Sequence, residues 1–236
     1  MLLPVNVHSS WEPFLTQGIM EKLDEIERKI GTDYNPDRAE AVLRFLTTDL
    51  HKVKVIWLGQ DVYPMKGAAT GRSFEVGGLT DWVRPFRQVS LKNILRLLHK
   101  QYNGIERYED IKPFSEVKKE IASGQFPVPD PHEWFDSLER QGVLFLNTSF
   151  TCETGKPNSH KHIWSEFSQE VLHYISRVRP DCIWFLWGKE AIGMKTFIPK
   201  GIFFESRHPM MCSSKYPDDF LKFTGFEQTK QMIKWI

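Results

Sequence analysis

The sequence predicts an α/β fold: one domain spanning 1–236, built on a central four-stranded, parallel-type sheet flanked by helices on both faces. Four short apolar runs carry the prediction: residues 53–58 (VKVIWL), 143–146 (VLFL), 182–187 (CIWFLW) and 202–205 (IFFE). Each is rich in β-branched or aromatic side chains, as strands are. They are nearly continuous rather than alternating, the pattern of a parallel sheet covered on both sides. Helical patterns lie between them, and strands alternating with helices give a layered α/β architecture.

In chain order, helices are expected at 15–30 and 36–46, before the first strand, which stops at Gly59. The run Ser90-Leu91-Lys92-Asn93-Ile94-Leu95-Arg96-Leu97-Leu98 has apolar residues at i, i+3, i+4 and i+7, with Ser90 as its N-cap. Residues 103–132 are charged and then proline-rich. They read as a surface excursion with a short helix at 115–122. The second strand stops at Asn147. A helix over 164–178 follows through Phe167, Val171, Leu172 and Ile175. The third strand stops at Gly188, the fourth runs into Ser206-Arg207-His208-Pro209, and a last helix is expected over 226–236. No Gly/Ser linker divides the chain and no internal repeat is visible.

Composition narrows the function classes. There are 236 residues, 41% hydrophobic and 26% charged, and no 18-residue apolar run, so no membrane span or membrane partner is expected. The N-terminal sequence lacks the pattern of a signal peptide. Three cysteines supply neither a disulfide framework nor the four thiolates of an ordinary iron–sulfur cluster. A cytoplasmic, reducing location is the expectation. The net charge of +1 does not mark a global polyelectrolyte binder, although a protein touching DNA locally needs only a local patch.

Ligands of open α/β sheets sit outside the carboxyl ends of the strands, so the loops there are the place for chemistry. After the first strand come Gly59-Gln60-Asp61-Val62-Tyr63-Pro64 and then Phe74. An acid there could orient a water or stabilise a cation; it could equally cap a turn. After the second, Asn147 offers a donor and an acceptor that can read an amide-like edge, or caps the strand end. After the third, Gly188-Lys189 suits a phosphate, or is a turn with a solvated lysine. After the fourth, His208 could donate to a developing oxyanion, or be structural. Each residue alone has an ordinary explanation. Their order along successive sheet-edge loops is specific.

That order resembles the family 1 uracil-DNA glycosylases, over nearly the whole chain. Gly59, Gln60, Asp61 and Tyr63 match the family's G-Q-D-P-Y-H loop, with the spacing to Phe74 kept. Ser90–Ile94 matches S-L-K-N-I, Gln141–Asn147 matches Q-G-V-L-L-L-N, Asn158–Lys161 matches N-S-H-K, and Phe185–Gly188 matches L-L-W-G. His208, Pro209 and Ser213 match the H-P-S-P-L-S loop. The resemblance implies a monofunctional glycosylase, without metal or cofactor, acting as a monomer on single- or double-stranded DNA. It would flip deoxyuridine out of the stack and hydrolyse the N-glycosidic bond, leaving an abasic site.

In that reading Phe74 stacks on uracil and Asn147 pairs with its N3/O4 edge. Tyr63 blocks the thymine methyl, and the main-chain amide of Gln60 also touches the base. Asp61 positions water and stabilises an oxocarbenium-like sugar. His208, neutral, donates to uracil O2, a preorganised contact of about 3–4 kcal/mol. Ser90, His160, Lys189 and Ser213 are the phosphate-contact candidates.

The sequence departs from the family in the loops that grip DNA. Val62 and Pro64 replace the usual Pro and His. Met210-Met211-Cys212 replaces S-P-L, whose Leu wedges into the DNA stack. Cys212 is the positional counterpart, but it is smaller, and Met211 is a chemically suitable alternative wedge. The region between Asn93 and Gln141 is longer than the family pattern by roughly twenty residues, and such an insertion could bind a protein partner. Three other readings remain: a non-catalytic DNA-binding or processivity module, a glycosylase for another damaged base, and a generic α/β hydrolase. Kept Asp61 and His208 oppose the first, and kept Tyr63 and Asn147 the second. The third lacks any G-x-S-x-G, P-loop or metal-spaced His pair.

Overall fold

The computed structural model describes residues 2–236. Helix α1 (Gln17–Ile30) opens with Thr16, whose hydroxyl accepts from the Ile19 amide; α2 (Ala39–Val42) leads to strand β1 (Val55–Gly59). Helices α3 (Val89–Tyr102), α4 (Phe114–Ala122) and α5 (Pro131–Gln141) precede β2 (Val143–Asn147). Then come α6 (Lys161–Val178), β3 (Ile183–Trp187), α7 (Lys189–Gly193), β4 (Ile202–Ser206) and α8 (Gly225–Thr229).

The strands form one parallel sheet in the order β2-β1-β3-β4. Alternate side chains leave opposite faces of a strand, and both faces here find cover. Ile56, Leu58, Leu144, Leu146, Trp184 and Leu186 pack under α1 and α6. Val55, Trp57, Val143, Phe145, Phe185 and Trp187 pack under α3, α5 and the C-terminal segment. That double burial is why the runs read as continuously apolar. Strand β4 departs from the expectation of four buried strands. It is an edge strand with Ile202 and Glu205 exposed and only Ser206 buried.

Other expectations need correcting. The predicted helix 36–46 is only α2 followed by a 3₁₀ turn, Arg44–Thr47. Ala41, Val42, Leu43, Phe45 and Leu46 are all buried, and one helical stripe cannot bury a set facing every direction. The predicted helix 226–236 stops at Thr229. Beyond it the chain turns over residues 230–232 and is then pinned. The Trp235 ring stacks on Trp57, centroids 5.7 Å apart, and its carbonyl accepts from Trp134 Nε1 at 2.7 Å. Ser90 is not an N-cap: α3 starts one residue earlier, behind Gln88, with no side-chain cap. Residues 103–132 are not merely a surface excursion. Val117 and Phe126 are fully buried, and α5 begins at Pro131.

Candidate active site

At the carboxyl end of the sheet the loops after all four strands meet around a cavity of about 410 Å³. Gln60, Asp61, Tyr63, Phe74, Ser90, Asn147, Lys189 and His208 line it, as do Asn158, Trp187 and Met210. The structure therefore gathers the expected catalytic and base-contact residues in one place, although they span most of the chain.

Strand register sets the floor. Gly59 and Asn147 are paired neighbours at the ends of β1 and β2. Asn147 is 4% exposed, and its side-chain amide has no hydrogen-bond partner among the described residues. That amide opens on the cavity, where its donor and acceptor are free to pair with a ligand. Its position requires glycine next door, since a Cβ on Gly59 would lie 2.3 Å from Asn147 Oδ1. Likewise a Cβ on Gly188, whose φ is 90°, would lie 2.9 Å from the His208 Cβ. Both glycines keep space for the side chains beside them. Gly59→Ala should displace Asn147 and raise the KM for the site's substrate by about tenfold or more, corresponding to about 1–3 kcal/mol of overpacking. Steady-state kinetics of a folded variant checks it; an unchanged KM would refute the role.

Asp61 reaches the cavity half-buried. Its Oδ2 accepts a short hydrogen bond from the Asn158 amide, whereas the buried Oδ1 has no partner. Burial holds its carboxyl above the ordinary value of 3.8, against the opposing pull of the Asn158 and Val62 main-chain amides and the Ser149 hydroxyl. Gln60 Nε2 donates to Asn158 Oδ1 at 3.0 Å, so Asn158 joins both members of the loop. The loop is fastened below as well: Asn35 Nδ2 donates to the Pro64 carbonyl at 3.0 Å, and Val62 is buried against Ala69 and Cys152.

The aromatic wall is held under strain. Phe74 has φ 66° and Asn158 has φ 62°, and these are the only non-glycine residues with positive φ among the described residues. Both line the cavity. Such conformations cost free energy and persist where surrounding structure enforces them. The Tyr63 hydroxyl donates to the Phe74 carbonyl at 3.4 Å. The Phe74 ring meets Trp187 edge-on at 5.2 Å. Two residues away from Phe74, the buried Arg72 guanidinium donates to Glu75 (3.1 Å), Asp136 (2.5 Å) and Glu139, tying this turn to α5.

His208 Nδ1 accepts from the Met210 amide at 3.2 Å. A neutral ring accepting there carries its proton on Nε2, free to donate. Burial pushes its pKa below 6.5, which keeps the ring neutral.

The remaining candidates divide. Ser90 lies in the first turn of α3 at the cavity rim, and Lys189 is exposed with no ion pair among the described residues. Met210 and Met211 project, 57% and 67% exposed. Cys212 does not project: it is half-buried, packs against the core and points its Sγ at the Pro209 carbonyl, 3.5 Å away. Ser213 is half-buried, its amide donating to Asp219 Oδ2 at 2.6 Å. His160 is 4% exposed, with Nδ1 2.9 Å from Thr151 Oγ1, so it sits inside the fold rather than on a phosphate-facing surface. Asn158, Trp187 and Gly59 were not singled out as site residues from the sequence, and Gly188 was read only as a turn that could suit a phosphate. All four lay within the segments that carry the resemblance, but nothing in one dimension shows a main-chain amide aimed at an acid or the need for a missing Cβ.

Among the described residues no group of three or more His, Cys, Asp or Glu could hold a metal ion, and no helix is long and apolar enough to cross a membrane.

No family model matches the chain. A uracil-DNA glycosylase of Equine herpesvirus 2 is 32% identical over 230 residues, covering 95% of this chain and 79% of the relative. A uracil-DNA glycosylase of Francisella philomiragia is 32% identical over 209 residues, covering 88% and 81%. Among solved structures, a mimivirus UNG in complex with UGI superposes with a TM-score of 0.71 at 21% identity, covering 99% of this chain and 86% of that one. The UNG of Nitratifractor salsuginis gives 0.71 at 21% identity, covering 96% and 92%. The two structures speak to the fold alone.

Proposed function

This chain belongs to the uracil-DNA glycosylase family, and from that premise we propose how its cavity performs the reaction. The protein is a DNA repair enzyme, a monofunctional glycosylase that hydrolyses the N-glycosidic bond of deoxyuridine in DNA and releases uracil. The observation that carries the assignment of roles is the side-chain amide of Asn147, open to the cavity and without a hydrogen-bond partner among the described residues. Uracil N3–H and O4 complete it, whereas cytosine presents the opposite donor and acceptor and leaves both sides unpaired.

The nucleotide must leave the stack, at a cost of a few kcal/mol. Met211, the most exposed side chain of the 208–213 loop, is the wedge that fills the gap; the inward packing of Cys212 argues against it. Phe74 supplies the stacking face and the Gln60 amide a further base contact. Tyr63 closes the space beside C5. As the glycosidic bond breaks, negative charge builds on uracil O2, where His208 Nε2–H donates. Positive charge builds on the sugar, where the Asp61 carboxylate stabilises it and orients the attacking water. Ser90, Lys189 and Ser213 contact phosphates, positioning the strand without reading its sequence. The enzyme acts as a monomer inside the cell.

Tyr63→Ala tests the pocket. The variant should cleave thymine from a T-containing oligonucleotide while still cleaving uracil; complete rejection of thymine by an enzyme active on uracil would overturn the role of Tyr63.

A further inference from the structure

We propose that the 103–132 segment is an internal brace for the 208–213 loop, and that Arg96 and Tyr108 are the positioning residues through which it acts. This rests on the reading of that loop as the element that probes DNA.

Two hydrogen-bond routes run from the segment to the loop. In the first, the Lys112 carbonyl accepts from Arg96 Nε at 2.8 Å, and Arg96 Nη1 donates to Asn93 Oδ1 at 2.9 Å. Asn93 Nδ2 then donates to the Pro209 carbonyl at 2.6 Å, one residue beyond His208. In the second, the Tyr108 hydroxyl donates to Asp219 Oδ1 at 2.9 Å, and Asp219 Oδ2 accepts from the Ser213 amide at 2.6 Å. Asn93 is 7% and Asp219 1% exposed, so the side chain that reaches the loop in each route is shielded from competing water, while Arg96 is half-buried. The routes reach opposite ends of the loop, Pro209 and Ser213. Met210 and Met211 stand exposed between them.

The segment is a firm base. Val117 and Phe126 are fully buried, and the Glu120 carboxylate is held between His99 Nε2 (2.7 Å) and Lys112. The loop has no proline beyond Pro209 to stiffen it until Pro217. Fixing both ends from outside supplies the order that its own sequence lacks. A loop already ordered loses less entropy when it presses into DNA. The benefit is greatest where a paired, stacked nucleotide must be extruded, and smallest on single-stranded DNA, where pairing need not be broken.

The experiment measures single-turnover cleavage of one uracil in a duplex and in the same single strand, for the wild type, Arg96→Met, Tyr108→Phe and the double variant. Tyr108→Phe removes one oxygen from a half-buried ring and keeps its packing. The duplex-to-single-strand rate ratio cancels any common loss of folded protein. Each single variant should lower that ratio by about three- to tenfold, and the double by about the product, as two independent routes require. A wild type active on both substrates with variant ratios unchanged would overturn the brace. A wild type inactive on both would instead overturn the functional reading beneath it.

Discussion

Asp61→Asn should lower the single-turnover rate on uracil-containing DNA by about 10²–10⁴-fold, the range for removing a positioned acid–base group, and should melt above the wild type at pH 7. The two effects have one cause. The carboxylate is held in a desolvated site with Oδ1 unpartnered, a cost accepted for transition-state stabilisation. Because burial raises its folded pKa above 3.8, the folded protein binds the proton more tightly than the unfolded chain does. Asp61 therefore lowers stability as pH rises through that window, and the penalty is full at neutral pH. Asparagine keeps an acceptor for the Asn158 amide and removes the charge. The gain in Tm should accordingly shrink as pH falls through the raised folded pKa and be gone below about 3.8, the unshifted carboxyl value. A variant as active as wild type would remove Asp61 from the mechanism. A variant that is inactive and melts lower at pH 7 would contradict the desolvation account.

His208→Ala should cost about 10²–10³ in rate, as loss of one preorganised donor does elsewhere, with a smaller change in KM, because the donor matters most as charge develops on the leaving uracil. The pH profile distinguishes this role from a general acid. A ring whose pKa is pushed below 6.5 is neutral throughout the neutral range and donates from Nε2 without losing its proton. The rate should thus be flat from pH 7 to 8. It should fall on the acid side as Asp61 and His208 take up protons, between about 3.8 and 6.5, the two unshifted values. A rate that rises as pH drops from 8 to 6 would mean that the imidazolium is the active form.

Much of this was legible in one dimension because the chemistry and the fold leave different marks. Parallel strands covered on both faces must be apolar along their whole length, so 53–58, 143–146 and 182–187 declared themselves. The residues just beyond the first, second and fourth strands, Asp61, Asn147 and His208, then fell in the loops that must surround the cavity. What escaped the sequence depended on three-dimensional packing. Ser90 resembled an N-cap, but capping is decided by backbone angles one residue away. The 226–236 pattern was helical, yet Trp235 gains more by stacking on Trp57 inside the core. Cys212 aligned with the family's wedge, but it turns inward, and only the exposures of Met211 and Cys212 separate the two. His160 looked like a surface cation and is buried against Thr151. The strain at Phe74 had no sequence signal, since a bulky aromatic does not mark a positive φ as glycine or asparagine does.

The most direct test of the central claim is an alkali-cleavage assay without added metal on a labelled oligonucleotide carrying one uracil, single- and double-stranded, beside a thymine control. The account predicts strand scission at uracil alone with wild-type protein and none with Asp61→Asn. Tight DNA binding without cleavage by the wild type would contradict it, and would make the protein a binding module on a glycosylase fold.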